Sequence, residues 1–243
     1  MCFDADSEPP IPSIAGAAVS HDDLTLTAAD GTELAAVLAT PDQESHAGVV
    51  ILPDVRGLYH FYEELALRFA ERGYAAIAID YFGRSAGAAK RGEDFEYGPH
   101  VDQTTDDGVQ ADARAAVEQL RKRGIRSVFT VGFCFGGRAS WVAAASGHGL
   151  KGAVGFYGHP GLALEHVPQI EAPVLALQAG DDARITPYWN HLFGEALTFC
   201  GVEHELVVYE GAPHSFFDRK QEEFADASDD AWRRTLAFVE QHA

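Results

Sequence analysis

The sequence predicts an α/β fold in which a mostly parallel central sheet is covered by helices on both faces. Three observations lead to this prediction. Short unbroken apolar runs, typical of strands buried on both faces, recur along the chain. Segments with apolar residues at helical spacing separate these runs. The chain has 243 residues and is 47% hydrophobic, which is enough for one domain with a sizeable core.

The N-terminal part of the chain predicts an arm followed by a hairpin. Its first twenty residues are rich in proline and small side chains, so we expect residues 1–22 to form an arm lying on a domain of residues 23–243. Two short runs of alternating apolar residues, 24–27 and 34–38, follow the arm. An Asp-Gly pair separates them, and this pattern predicts a β-hairpin.

After residue 46 the pattern alternates between strands and helices. The predicted strands cover residues 48–52, 74–79, 127–131, 153–157, 174–178 and 206–209. The predicted helices cover residues 61–72, 108–123 and 228–241, with further helices starting at Gly136 and at Thr186-Pro187. In a parallel sheet the ligand site lies beyond the carboxyl ends of the strands. The residues that directly follow each apolar run are therefore the candidates for chemistry.

Composition and charge argue against several classes of function. The net charge of −19 repels nucleic acid and anionic membranes. No apolar run reaches the roughly 18 residues of a membrane span, and no secretory signal is recognisable, so we predict a cytoplasmic protein. The cysteines Cys2, Cys134 and Cys200 do not form a disulfide framework or a zinc motif, and Cys2 and Cys200 carry no functional signal. We expect no metal, no organic cofactor, and a monomer or small homo-oligomer.

The strongest functional signal is the segment 132–137, Gly-Phe-Cys-Phe-Gly-Gly, between a predicted strand and a predicted helix. It has the form of a nucleophile elbow with Cys134 in the place usually taken by serine. The turn is tight, so a side chain at Gly132 or Gly136 would clash with neighbouring backbone. The positive end of the following helix points at the sulfur and favours its thiolate. We expect Cys134 to be a nucleophile; the alternative is a buried cysteine in a glycine-rich turn.

A thiol nucleophile needs a base, and the base needs an orienting group. His214 follows the last predicted strand in a loop rich in glycine and proline. Asp181 and Asp182 follow the preceding strand, and either could orient the histidine or instead cap a helix. The chain order of nucleophile, acid and histidine is that of the α/β-hydrolase fold.

Two further features of this fold can be placed on the sequence. An oxyanion hole needs two backbone N–H groups, one from Phe135 after the nucleophile and one from Val55 or its neighbour Arg56, after the first parallel strand. The segment 83–107 is long for a strand-to-helix connection, which makes it a candidate lid over the site.

With these motifs, the chain resembles the dienelactone hydrolases, or carboxymethylenebutenolidases, from about residue 24 to the last helix. The likeness rests on residues 132–137, 154–158, 180–187 and 213–216. Family members are single-domain α/β-hydrolases that need no cofactor and hydrolyse dienelactones. The resemblance implies a triad of Cys134, His214 and Asp182, and it favours Asp182 over Asp181.

The resemblance also implies roles for residues around the triad. The family places an acidic residue against the resting thiol; that position is Asp54 here, where the family has Glu, and the alternative is a solvated loop aspartate. The family holds a substrate carboxylate with arginines, one of them four residues after the catalytic histidine. That position is Asp218 here, with Arg219 beside it. Apart from the resemblance, Arg56, Arg84 and Arg138 are further candidate anion contacts, with an ordinary salt bridge as the alternative for each, and His159 is a further candidate substrate contact.

The sequence therefore predicts a hydrolase that cleaves a small lactone or carboxylic ester through an acyl-enzyme on Cys134. One alternative is a hydrolase of another ester or of a thioester, and a second is a non-catalytic small-molecule binding protein on the same fold. A binding protein would not need all three groups of the triad. The chain is strongly negative, and the arginine that the family places four residues after the catalytic histidine is displaced here to Arg219. We therefore expect neutral or weakly charged esters to be preferred.

Overall fold

The computed structural model of the chain describes residues 3, 4 and 6–243, so Cys2 lies outside the described residues. Its strands are β1 (Val19–Thr27), β2 (Glu33–Pro41), β3 (Ala47–Leu52), β4 (Ala75–Ile79), β5 (Ser127–Phe133), β6 (Gly152–Phe156), β7 (Val174–Asp181) and β8 (His204–Pro213). These strands form one sheet in the order β1-β2-β4-β3-β5-β6-β7-β8. The strands from β3 to β8 are parallel, and β1 and β2 pair antiparallel at one edge. The mostly parallel sheet predicted from the sequence is confirmed.

Helices cover both faces of this sheet, as predicted. They are α1 (His60–Ala70), α2 (Gly83–Ala86), α3 (Gly98–Val101), α4 (Asp106–Lys122), α5 (Phe135–Ala144), α6 (Pro187–Phe199) and α7 (Ala225–His242). The side chains of β3 alternate between two cores: Val49 and Ile51 pack with α1 and α7, whereas Val50 and Leu52 pack with α4. Helix α6 packs on α5 and the neighbouring strands through Phe193.

Among the described helices, α4 has a side-chain cap at its start. The Thr105 side chain accepts a hydrogen bond from the backbone N–H of Gly108 at 3.1 Å, which satisfies one free donor at the start of α4. Pro187 occupies the first turn of α6, as predicted, but the side chain of Thr186 makes no capping hydrogen bond there. The segment 83–107, predicted only as a long connection, contains the short helices α2 and α3.

The predicted hairpin is confirmed by the antiparallel pairing of β1 with β2. Strand β1 begins at Val19, so the boundary expected between residues 22 and 23 falls inside this strand. Preceding it, Phe3 and Ile11 are buried in the same core as α1. In the part of the chain that is described, no helix has the length and apolar character needed to cross a membrane.

Candidate active site

Cys134 lies in a strained turn between β5 and α5. Its φ of 55° and ψ of −109° place a non-glycine residue in a rarely populated region. The turn can form only because its neighbours lack side chains. A Cβ on Gly132 would lie 1.8 Å from the carbonyl oxygen of Gly136, and one on Gly136 would lie 2.0 Å from that of Leu52. This geometry is that of the elbow predicted from the sequence.

The residues predicted as the base and its orienting acid meet at the carboxyl ends of β7 and β8. His214 Nδ1 and Asp182 Oδ2 are 2.5 Å apart, and the Asp182 side chain is almost fully buried. The other carboxylate oxygen of Asp182 accepts hydrogen bonds from the backbone N–H groups of Arg184 and Ile185, at 2.8 and 3.2 Å. These bonds fix the carboxylate toward the imidazole. Asp181 is exposed at the end of β7, so the structure pairs His214 with Asp182.

The contacts of His214 change the pKa of both partners. Burial by itself lowers the pKa of His214, but its hydrogen bonds with Asp182 and Cys134, and their charges, raise it to about 9. Burial by itself raises the pKa of Asp182, but hydrogen bonds from His214 and the backbone bring it below its ordinary value. The raised pKa of His214 and the lowered pKa of Asp182 therefore favour an imidazolium held against the Asp182 carboxylate.

The stability contributed by this charged pair should be lost as the pH rises. A group with a raised pKa in the folded protein stabilises the fold fully below its unfolded pKa, here 6.5, and ceases to do so above its folded pKa of about 9. We therefore expect Asp182→Asn to lower the free energy of unfolding more at about pH 6 than at about pH 10. Urea unfolding at both pH values measures the effect, with Asp181→Asn as the control. If the loss of unfolding free energy in Asp182→Asn instead grew with pH, this would contradict a charged pair of His214 and Asp182.

Cys134 and His214 open onto a cavity of about 220 Å³. The other lining residues are Val55, Phe135, Arg138, Tyr157, His159, Leu162, Arg184 and Ile185. Both predicted oxyanion-hole residues, Val55 and Phe135, therefore lie at the cavity. The backbone N–H of Arg56 already donates to Asp54 Oδ1 at 2.9 Å, which leaves Val55 as the better donor from its loop. Six of the ten lining residues carry titratable side chains, and the other four are apolar.

Comparison with known proteins identifies the family. The profile of the "Dienelactone hydrolase family" matches residues 34–243. The chain belongs to this family. It is 29% identical over 239 residues to a Yersinia pestis protein provisionally named a carboxymethylenebutenolidase, covering 91% of this chain and 89% of that protein. A similarly named protein of Saccharolobus solfataricus is 28% identical over 246 residues, covering 86% and 95% of the two chains.

Solved structures support the same assignment of the fold. A crystal structure provisionally named a dienelactone hydrolase, from Klebsiella pneumoniae, superposes with a TM-score of 0.82 at 25% identity, covering 92% of this chain and 99% of that one. A dienelactone hydrolase-like promiscuous phosphotriesterase from metagenomic libraries superposes with a TM-score of 0.81 at 22% identity, covering 93% and 99%. The α/β-hydrolase fold predicted from the sequence is confirmed.

In this member of the family, Asp54 is a buried residue. It follows β3, its backbone N–H donates to the Tyr62 hydroxyl at 2.9 Å, and its side chain is inaccessible to solvent. The alternative of a solvated loop aspartate is therefore wrong. The role of Asp54 against the thiol stays a prediction.

Three of the arginines considered as substrate contacts do not line the cavity. Arg84 is paired with Asp30 and with the buried Asp112. Arg219 is mostly exposed and paired with Glu8. Arg56 is buried, with its guanidinium bonded to the carbonyl oxygen of Phe3. Each of these three side chains is thus bound to a partner outside the cavity lining, which is the salt-bridge alternative for Arg84 and agrees with an Arg219 that no longer holds a substrate carboxylate. A contact of any of the three with substrate stays a prediction.

Two sequence candidates and one unpredicted residue are the basic side chains that line the cavity besides His214. Arg138 and His159 line it, but the Arg138 guanidinium is already paired with Asp106, at 2.8 Å for one of its nitrogens. Arg184 was not predicted, although it lies within the 180–187 motif, two residues after Asp182. Its side chain is exposed, and its guanidinium makes no ion pair with the described residues. Arg184 is therefore the cation best placed to meet a substrate.

The candidate lid does not itself line the cavity, although it reaches the lining residue Arg138 through Asp106. None of the lining residues found among the described part of the chain comes from residues 83–107. This segment is fastened at the end of β4, where buried Arg91 binds Asp80 through two nitrogens, at 2.7 and 3.1 Å. Leu162, in a short 3₁₀ helix after β6, lines the cavity instead.

Proposed function

We propose that this protein is a cysteine hydrolase that cleaves small carboxylic esters or lactones. The observation that carries the proposal is a cysteine in a strained elbow that shares one cavity with a histidine bound to a buried aspartate. Membership of the dienelactone hydrolase family supports the choice of an ester or lactone.

The geometry supports an acyl-enzyme route in two halves. Before the substrate binds, the proton of the Cys134 thiol passes to His214, in keeping with the raised pKa of that histidine, and the resulting thiolate attacks the substrate carbonyl carbon. The negative oxygen that forms is held by the backbone N–H groups of Val55 and Phe135. The carbon–oxygen bond then breaks as His214 returns the proton to the leaving alcohol, which stays attached when the substrate is a lactone. Water, activated by His214, hydrolyses the thioester and restores the thiol, with Asp182 holding the imidazole throughout.

The proposal is tested by linking turnover to one thiol. A panel of small lactones and aryl esters is assayed with the purified protein while iodoacetamide is added and Cys134 alkylation is followed by peptide mass spectrometry. We expect ester turnover to fall in step with alkylation of Cys134. The exposed thiol of Cys200 is the internal control, since its alkylation should leave turnover unchanged. Turnover that persists after Cys134 is fully alkylated would exclude the proposal. A protein that binds the esters or lactones of the panel but cleaves none of them would match the non-catalytic binding alternative.

The charge of the cavity predicts a role for Arg184 in substrate selection. Among the described residues no carboxylate side chain lines the cavity, whereas the guanidinium groups of Arg138, which is paired with Asp106, and of Arg184 do. This arrangement favours an anionic ester more than the net charge of the chain suggests. For a matched pair of esters, one with a carboxylate and one with that group methylated, we expect Arg184→Ala to lower the charged-to-neutral ratio of kcat/KM about tenfold. The assay is steady-state kinetics on both esters.

Arg219→Ala is the matched control for this measurement. Arg219 is bound to Glu8 outside the cavity, so its removal should leave the ratio unchanged. If the charged-to-neutral ratio of kcat/KM fell in Arg219→Ala but not in Arg184→Ala, the proposal would be wrong, and Arg219 would be the residue that contacts the substrate carboxylate. A wild-type enzyme that prefers the neutral ester would support the preference expected from the sequence.

A further inference from the structure

The N-terminal arm reaches the back of the catalytic cavity. Phe3 is buried, and its ring stacks on Phe61 with centroids 4.1 Å apart. Its ring also lies 6.5 Å from those of Phe133 and Tyr157, in edge-on contacts. Phe133 directly precedes Cys134, and Tyr157 lines the cavity. Phe3 therefore packs against the residue before the nucleophile and against one residue of the cavity lining.

The same residue holds the loop that follows β3. The carbonyl oxygen of Phe3 accepts a hydrogen bond from Arg56 Nη1 at 2.8 Å. Arg56 is buried, and its guanidinium also lies over the ring of Tyr59, 4.0 Å from the ring centroid. Since Arg56 follows Val55, this contact fixes the backbone from which the proposed oxyanion donor comes.

A second group of arm contacts holds the loop that carries His214. Ser7 Oγ donates to Asp218 Oδ2 at 2.8 Å, and both side chains are buried. The backbone N–H of Arg219 donates to the carbonyl oxygen of Glu8 at 3.1 Å, beside the Arg219–Glu8 ion pair. The residues that follow His214 are thus bound to the arm rather than to substrate.

Tyr157 links the arm to the imidazole. Its φ of 36° is unusual for a residue with a side chain, and such a conformation persists only where the surrounding packing holds it. Its ring lies 4.9 Å from the His214 ring and 5.5 Å from that of Phe216. Phe3 completes this packing, so loss of its ring should let Tyr157 relax and the imidazole move.

We propose that Phe3 and Ser7 are positioning residues that hold the Cys134 elbow, the Val55 loop and the His214 loop in one reactive arrangement. They act through Tyr157, Arg56 and Asp218 and do not touch the reacting atoms. The inference rests on the proposed function, because it assigns the arm a role in the reactivity of the same thiol. Small misplacements of catalytic groups lower reaction rates by large factors. Contacts that hold three segments of the site in place should therefore have a measurable effect on the reactivity of the thiol.

The test measures the reactivity of the Cys134 thiol directly, without any substrate. The rate of Cys134 alkylation by iodoacetamide is determined by peptide mass spectrometry from about pH 5 to about pH 10 in wild type, Phe3→Leu and Ser7→Ala. Phe238→Leu is the matched control, because Phe238 is a similarly buried aromatic residue that packs on Phe129, away from the site. Thermal unfolding of each variant shows how much stability each change removes.

We expect Phe3→Leu to slow Cys134 alkylation near neutral pH about tenfold and to change its pH profile, while Phe238→Leu keeps the wild-type rate and profile. Ser7→Ala, which removes one hydrogen bond, should give a smaller loss in the same direction and keeps the test valid if Phe3→Leu does not fold. Equal Cys134 rates in Phe3→Leu, Ser7→Ala and Phe238→Leu would overturn the inference and leave the arm a purely stabilising element. A wild-type Cys134 no faster than Cys200 would instead remove the proposed function, and with it this inference.

Discussion

Replacement of Cys134 by alanine is expected to lower kcat/KM for a small aryl ester by at least about 10⁴-fold, to the background rate. The sulfur is the only group in the mechanism that bonds to the substrate, and no other thiol of the described residues lies at the cavity. Cys134→Ser need not restore the rate, because a hydroxyl is a much poorer nucleophile than a thiol without a base tuned to it.

The losses at the triad are expected to be strongly non-additive. His214→Ala should lower kcat/KM nearly as much as Cys134→Ala does. The double variant should be no slower than either single variant, because the thiolate and its base act as one unit. Asp182→Asn should lower kcat/KM by a smaller factor, while Asp181→Asn should keep a kcat/KM close to that of the wild type. Steady-state kinetics on one ester measures all five proteins. Additive losses for Cys134→Ala and His214→Ala would mean that the two residues act separately.

Gly136→Ala is expected to have the largest effect on stability, lowering the free energy of unfolding by more than about 4 kcal/mol. The added Cβ would lie 2.0 Å from the carbonyl oxygen of Leu52 and 2.3 Å from that of Pro53. Both contacts are with backbone at the end of a central strand, so no side-chain rotation can relieve them.

The control for this variant is a glycine with free space. At Gly194, in helix α6, the nearest atom to an added Cβ is Leu206 Cδ1 at 3.9 Å. Gly194→Ala should therefore be neutral or should stabilise the protein by about 0.5–1 kcal/mol, because alanine has the higher helix propensity. Urea unfolding measures the change in the free energy of unfolding for both variants. An unchanged midpoint for Gly136→Ala would contradict the tight elbow.

The fold and the centre of the site were predictable because both depend on local sequence patterns. Buried strands appear as unbroken apolar runs, and parallel strands bring the residues after them to one edge. That rule correctly placed Cys134 and His214 at one cavity. The tight elbow could be predicted because its requirement for glycine lies within six consecutive residues, and the clash distances at Gly132 and Gly136 express the same requirement in space.

The substrate contacts were not predictable because long side chains bind partners that are distant in sequence. Arg84 lies near the ends of the strands, but its guanidinium is directed to Asp30 and Asp112. Arg184 was missed because its backbone position beside Asp182 does not indicate whether the side chain faces the cavity. The role of the arm depends on a hydrogen bond between residues 211 positions apart, for which no local pattern exists.

The central claim, that Cys134 forms an acyl-enzyme, is tested most directly by trapping that intermediate. The protein is mixed with an activated aryl ester, quenched in acid after a fraction of a turnover, and digested for peptide mass spectrometry. The account predicts a mass increase equal to the acyl group on the peptide that contains Cys134, a burst of phenol of matching size, and neither of these in Cys134→Ala. An acyl group carried by another residue, or a burst that persists in Cys134→Ala, would contradict the account.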